Sequence, residues 1–254
     1  MLATKQTWSG LRVIVAFTCI LASAVRADDT PNATLQAAIK AHGGEKNLAK
    51  TLIGTLVANA KLTLGPNGEA SVSWEETFEL PRRYRRNIKG KFAGQAFSME
   101  YAITDGSGWI RENGGKPKEY KGKKLPLSAS WNAVLALLPI CLEAGVKLGP
   151  GGKEMVEGRE AVGITVSGAA FGGDAVLFFD SKSALMVKSK RRMPHLLSGQ
   201  EVNGEVILGD YKEVSGVQYP HRITSYGEGK KLIEMEIRRI ELLQKLDDRL
   251  FDKP

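Results

Sequence analysis

The last third of the chain, residues 185–254, carries four consecutive segments with the pattern of β-strands. They are Leu185–Met193, Glu201–Glu213, Gln218–Tyr226 and Lys231–Leu242. The later two joints are short and contain glycine, which is typical of β-hairpins, and hairpins in series form an antiparallel meander. Apolar and charged residues alternate from Leu232 to Ile237, so this meander is predicted to have one buried face and one solvent-exposed face.

The preceding residues add more strands and two short helices. Apolar side chains recur at helical spacing from Leu35 to His42, and Gly43-Gly44 ends that helix. A second helix is predicted over Ser128–Leu138. We expect an exposed loop at Gly114–Lys124 and a turn cluster at Gly145–Gly152. The pattern contains roughly ten or eleven strands and no repeat, which predicts a mainly β (α+β) fold: one strongly curved or partly closed antiparallel sheet, covered by a few short helices.

Residues 1–27 have the composition of a secretory signal peptide. A basic start is followed by the uncharged apolar run Val13–Ala24, and small residues then flank a cleavage site between Ala27 and Asp28. The apolar run is too short to cross ~30 Å of hydrocarbon as a helix. We therefore predict an exported protein whose single domain is residues 28–254, with retention of residues 1–27 as an anchor as the alternative.

Removal of residues 1–27 would change both the cysteine count and the net charge of the chain. Cys19 leaves with the signal, so Cys141 has no partner and is predicted to be a buried, inert thiol. The formal net charge of +8 falls to about +5 once the three basic residues of the signal are removed (33 basic against 28 acidic residues). A mild positive charge of this kind is compatible with a protein that contacts an anionic surface, and equally with an ordinary soluble protein.

The motifs of catalysis and metal binding are missing from the sequence. The three histidines, His42, His195 and His221, are far apart and have no ligand-type partners at short spacing. Gly149–Lys153 resembles a phosphate loop only superficially, because Glu154 stands where a magnesium-binding Ser or Thr is needed. We therefore predict no enzyme activity, no metal and no cofactor.

Large apolar side chains on the strands and on the second helix are the candidate ligand-binding residues. They are Trp74, Phe78, Phe97, Met99, Trp109, Trp131, Leu135 and Leu138. One interpretation is a close-packed core. The other is the wall of an incompletely filled cavity in a concave sheet, with the Trp131 helix as its lid, which would hold an acyl chain at ~0.8 kcal/mol per buried methylene.

Basic residues are clustered in four places. The clusters are Arg82–Arg86, Lys116–Lys124, Lys188–Arg192 and Arg238-Arg239. They are either the solvated outer faces of strands or a cationic rim that attracts anionic lipid head groups. Export argues against a nucleic-acid partner.

Three segments resemble exported proteins of the outer-membrane lipoprotein-carrier (LolA/LolB-like) superfamily. They are Ala38–Gly44 near the start of the domain, Asp210–Pro220 with the pattern "dY-x-x-v-dG-v-x-x-P", and Leu246–Pro254 with the pattern "l-d-d-x-x-F-x-x-P". The resemblance implies a half-open β-barrel around a hydrophobic cavity, with helices as a lid. It also implies a role in carrying lipid-modified proteins or lipids across the periplasm.

The resemblance and the residue patterns together give one functional expectation. We expect a periplasmic, monomeric, non-enzymatic carrier or binder of lipid, acyl chain or lipoprotein, with contact to an anionic membrane surface as a further expectation. The alternative is an envelope sensor or protein-interaction module with a solid core and no ligand.

Overall fold

Thirteen antiparallel strands form one sheet in the computed structural model, which describes residues 30–64, 68–121, 133–168, 174–194 and 200–254. The strands are β1 Ile53–Thr63, β2 Glu69–Glu79, β3 Arg83–Phe92, β4 Gln95–Thr104, β5 Ser107–Glu112, β6 Lys118–Lys121, β7 Lys147–Val156, β8 Arg159–Ser167, β9 Ala175–Asp180, β10 Met186–Pro194, β11 Glu201–Val214, β12 Val217–Gly227 and β13 Lys230–Leu242. The helices are α1 Pro31–Ala41, α2 Glu45–Leu48 and α3 Ala133–Ile140, with 3₁₀ turns at Ala49–Leu52 and Asp248–Phe251.

The chain enters the sheet at its centre and reaches its two edges from there. The strand order is β6-β5-β4-β3-β2-β1-β13-β12-β11-β10-β9-β8-β7, so β1 pairs with both β2 and β13. The chain passes from the edge strand β6 to the other edge strand β7 through the segment that contains α3. The edges do not pair with each other in the described residues, so the sheet is not closed. The predicted half-open antiparallel sheet with a few short helices is therefore confirmed.

The two ends of the sheet differ in what covers them. The lower end is defined here by the turns between strands at residues 80–82, 105–106, 157–158 and 215–216. The upper end is defined by the turns at residues 93–94 and 228–229. Helices α1, α2 and α3 and the 3₁₀ turn Ala49–Leu52 contact one another, and that 3₁₀ turn leads directly into the lower end of β1. The helices therefore cover the lower end.

Helix α1 is anchored to the lower end by the residues of the first family-like segment. His42 accepts a hydrogen bond at Nε2 from the Met186 backbone N–H (3.4 Å), and its Nδ1 lies 2.8 Å from the Ala38 carbonyl. Gly43 has φ +110° and lies directly against the Gly216 carbonyl in the β11–β12 turn. Two of the three family-like segments thus meet in space, and glycine at position 43 allows this close approach.

Alternation along the strands separates an inner face from an outer face. On β1 the inner residues Leu56, Ala58, Ala60 and Leu62 are buried, and they join one large core cluster with residues of α1 and α3. The outer face carries many charged residues and two small apolar clusters. The predicted split of β2 is confirmed, since Val72, Trp74 and Glu76 all face inward.

Two strands differ from the prediction, and they are the two edges of the sheet. Residues 118–121 form β6 where a loop was expected, and residues 147–156 form β7 through the expected turn cluster. Glycine, lysine and proline are tolerated at a sheet edge because one side of the strand has no hydrogen-bonded neighbour. A bulge between Pro150 and Gly152 accommodates the proline in β7.

Candidate functional site

The interior of the sheet is filled at its lower end. Trp74 and Phe78 are 0% exposed, and Leu135 and Leu138 of α3 are 2% and 0% exposed in the same cluster. Close packing of this kind leaves little free volume. Helix α3 is therefore part of the core in this structure, and it closes the lower end together with α1.

The interior is less filled toward the upper end. Phe97 and Met99 of β4 face inward, opposite Gly90 and Ile88 of β3, yet both are only partly buried. The inner residues Phe92, Leu148 and Ile233 on other strands share this partial exposure. Other inward-facing residues at the same end, such as Leu62 and Val72, are buried, so the exposure is confined to part of the upper inner face. This partly exposed portion of the upper inner face is an apolar surface that solvent reaches, and it is the candidate site.

A charged pair lies on the inner face between these two regions. Arg86 of β3 is directly opposite Glu76 of β2 and donates from Nε to Glu76 Oε1 at 2.8 Å. Trp74 Nε1 donates to the same oxygen at 2.6 Å, and the Tyr84 hydroxyl donates to it as well. The Arg86 guanidinium also lies over the Trp74, Tyr84 and Tyr101 rings, at 4.3, 4.9 and 5.5 Å from their centroids.

This pair is satisfied within the protein. Burial raises the pKa of Tyr101 to about 12 and that of Tyr84 well above its usual range, so both phenols are neutral at physiological pH and Tyr84 can donate to Glu76. A buried charge pair needs such additional hydrogen bonds to offset its desolvation. Sequence reasoning placed Arg86 in a surface basic cluster, but the alternation of β3 turns it inward.

Trp109 lies on the other side of the sheet from the remaining described candidates, which corrects its place in the predicted cavity wall. It pairs with Ala102 on β4 and packs with Leu246 and Phe251 of the C-terminal segment. Its Nε1 donates to the Phe251 carbonyl at 3.2 Å. The strand register decides this, because Ile110, and not Trp109, is opposite the inward-facing Tyr101.

The third family-like segment therefore has a structural role on the outer face. Arg83 binds Glu79 and, at 2.6 Å, Asp248, and its guanidinium lies 4.7 Å from the centroid of the Phe251 ring. Arg85 donates to the Leu250 carbonyl at 2.7 Å and also binds Glu100. These contacts hold the C-terminal segment over β3, β4 and β5.

The basic clusters are largely neutralised where the structure describes them. Lys188 contacts Glu154 at 3.0 Å and Glu205 at 2.6 Å, and Lys190 contacts Glu154 at 2.5 Å. The outer face also has a groove of about 830 Å³ lined by residues such as Lys61, Arg222 and Glu234. Its charged lining is unlike the apolar walls that acyl chains require.

Some of the remaining predictions concern described residues, and others concern residues outside the described ranges. The predicted helix 128–138 is confirmed from Ala133 onward, whereas Trp131, Ala27, Asp28 and His195 lie outside the described residues. Cys141 is buried, as predicted, and burial raises the pKa of its thiol to about 12.

The described residues show neither a membrane-spanning helix nor a cluster of metal ligands. No helix among them has the length and apolar character to cross a membrane. The part of the chain that the structure describes also contains no group of three or more His, Cys, Asp or Glu side chains arranged to hold a metal ion.

Comparison with solved structures finds the same fold. A LolA superfamily protein from Nitrosomonas europaea is similar over 88% of this chain and 98% of its own, with TM-score 0.55 and 11% identity. A DUF1329 family protein from Desulfovibrio piger is similar over 87% and 97%, with TM-score 0.51 and 10% identity. An outer membrane lipoprotein-sorting domain from Vibrio parahaemolyticus superposes with TM-score 0.49 and 8% identity over 88% and 98%.

These similarities show that the chain has the fold of LolA superfamily proteins, which confirms the resemblance found in the sequence at the level of fold. No family model matches the sequence, and no curated protein matches it.

Proposed function

We propose that this protein is an exported, non-enzymatic carrier or binder that holds an acyl chain of a lipid or lipoprotein against the upper inner face of its sheet. One observation carries the proposal: Phe97 and Met99 face the interior at the upper end of β4 and are partly exposed, whereas Phe78 and the helix residue Leu138 toward the lower end are fully buried. Burial of an acyl chain there is favourable by ~0.8 kcal/mol per methylene.

The fold supports the proposal by analogy alone. One of the similar structures is described as a LolA superfamily protein. The signal-like residues 1–27 support export to the periplasm. Binding of this kind needs no catalytic residue.

The test is binding of a fluorescent fatty acid to the mature protein and to two variants. Phe97→Asp introduces a charge on the inner face and is expected to abolish saturable binding. Ala96→Asp introduces the same charge one position away, at an exposed residue of the outer face, and is expected to bind as the wild type does. Absence of saturable binding by any acyl ligand, or equal loss in both variants, would remove the proposal.

The predicted lid is tested separately. Trp131→Asp is expected to weaken acyl binding if the helix around it covers the ligand. Unchanged affinity in this variant would contradict the predicted lid.

The alternative, an envelope sensor or protein-interaction module, is favoured by the tight packing of the lower half of the interior. It predicts capture of an envelope protein that is unaffected by Phe97→Asp. Contact with an anionic membrane surface stays a prediction, and co-sedimentation with vesicles that contain or lack anionic lipid tests it.

A further inference from the structure

Arg191 of β10 faces the interior of the sheet. It pairs with Ala175 on β9 and with Gly204 on β11, and Ala175 belongs to the main core cluster. Ser189, two residues earlier on the same face, pairs with Leu177 and Val206, which are core residues as well. The neighbours of Arg191 across both strand pairs are thus among the smallest residues, and the Met193 side chain lies over Gly204.

Arg191 has no partner for its buried donor. Its Nε has essentially no solvent exposure and makes no hydrogen bond, and the same is true of the Ser189 hydroxyl. Among the residues that the structure describes, no carboxylate lies within ion-pair distance of Arg191. Glu76, an inner-face carboxylate, is already bound to Arg86, Tyr84 and Trp74.

Arg191 lacks the carboxylate partner that Arg86 has. Both guanidiniums are on the inner face, but Arg86 has a carboxylate and three aromatic rings against it. Burial alone lowers the pKa of Arg191 to about 10, with no acidic group acting in the other direction. Arg191 is therefore positively charged at neutral pH. Its side chain is only partly buried, but its buried Nε stays unsatisfied unless an anion or another hydrogen-bond acceptor reaches it.

An amphiphile with an acidic head group supplies the missing anion. Arginine presents its donors as a planar fork that matches carboxylate and phosphate oxygens. Ser189, whose backbone position is about 7 Å away along the strand, adds a hydroxyl donor on the same face. Arg191 lies in the upper half of β10, near the end where the inner face is open. Met193, the next inward residue, continues the apolar surface beyond it.

We propose that Arg191, together with Ser189, binds the oxyanion head group, carboxylate or phosphate, of an acyl-chain ligand held on the upper inner face. This inference rests on the proposed function and goes further, because it names the class of ligand: acidic amphiphiles in preference to neutral ones.

The test compares ligands that share one chain and differ in the head group. A fluorescent reporter is displaced from the mature protein by a fatty acid, by the alkyl phosphate of equal chain length and by the methyl ester of the fatty acid. The wild type is expected to bind the two acidic ligands at least about tenfold more tightly than the ester, since hydrogen bonds to a charged group carry that much affinity.

Two variants at neighbouring positions assign the preference to Arg191. Arg191→Met is expected to weaken binding of the acidic ligands roughly ten- to hundredfold and to leave the ester unchanged, and Arg191→Lys is expected to restore part of the loss. Arg192→Met is the matched control, because Arg192 is exposed on the outer face and donates to the Glu201 carbonyl. Its affinities are expected to equal those of the wild type.

The outcomes separate the two proposals. Equal affinity of the wild type for acid and ester, or equal losses for both ligands in Arg191→Met, would overturn the head-group inference while acyl binding stands. Displacement of the acidic ligands by inorganic phosphate, with the ester unaffected, would assign the site to free phosphate instead. Binding of none of the ligands would overturn the proposed function and this inference with it. The comparison of acid and ester on the wild type needs no variant, so a folding defect cannot obscure the result.

Discussion

Gly43→Ala is expected to be strongly destabilising, whereas Gly44→Ala, at the next residue, is expected to cost much less. Both glycines have positive φ, +110° and +83°. Any side chain at either position therefore incurs backbone strain of about 1–3 kcal/mol. The two positions differ in their surroundings. A Cβ at Gly43 would lie 2.0 Å from the Gly216 carbonyl oxygen, while one at Gly44 meets nothing within 4 Å.

The extra cost at position 43 follows from the contact it breaks. A carbon and a carbonyl oxygen approach no closer than ~3.3 Å, so helix α1 and the β11–β12 turn must separate by about 1.3 Å. That movement weakens the hydrogen bond from the Gln218 N–H to the His42 carbonyl (3.2 Å) and the bond from Met186 to His42 Nε2. At about 1 kcal/mol for each bond, Gly43→Ala should lose about 3–5 kcal/mol in total, at least ~2 kcal/mol more than Gly44→Ala.

Urea unfolding followed by tryptophan fluorescence measures this difference, with Trp74 and Trp109 as buried reporters. Linear extrapolation then gives the free energies of unfolding of both variants. Equal losses within about 0.5 kcal/mol would refute the reasoning, because the shared backbone strain would then explain both. A loss of about 3–5 kcal/mol in Gly44→Ala, with little loss in Gly43→Ala, would show that the close contact lies at residue 44 instead of residue 43.

Three further predictions concern buried titratable groups. Because burial lowers the pKa of His42 from 6.5 to about 4, the unfolded chain takes up this proton first. The free energy of unfolding should therefore fall by up to about 3 kcal/mol between pH 6.5 and 4, and a His42→Gln variant that keeps this slope would contradict it. Glu76→Gln leaves Arg86 without its counter-charge and should cost about 3–5 kcal/mol, while Glu75→Gln, exposed on the outer face of the same strand, should cost almost nothing. The Cys141 thiol, with its pKa raised to about 12, should react with a thiol reagent only after unfolding, so rapid labelling of the native protein would disprove its burial.

The hairpins and the facing of the central strands could be predicted from the sequence. The four segments identified at the C-terminal end match β10 to β13 within one or two residues, because short glycine-containing turns and period-two alternation are local signals. The edge strands β6 and β7 lack that signal. Their Lys- and Gly-rich sequences pair on one side only, so neither alternation nor β-branched residues are required of them.

The candidate site was harder to predict, because it depends on how strands are placed next to each other. Trp109 belongs to an alternating segment like Trp74, and only the register with β4 shows that it faces outward. Arg86 and Arg191 belong to basic runs that look solvated as sequence, and each is turned inward by strand alternation. The partner of Arg86 is Glu76, ten residues earlier, whereas no neighbour in sequence indicates that Arg191 lacks one.

Native mass spectrometry of the protein purified from its own cell envelope tests the central proposal most directly. The proposal predicts that the wild type carries one or more acyl lipids, seen as a mass excess that is lost on unfolding, and that Phe97→Asp carries none. A wild-type protein with the bare mass of its mature chain, which also takes up no acyl ligand when one is supplied, would contradict it.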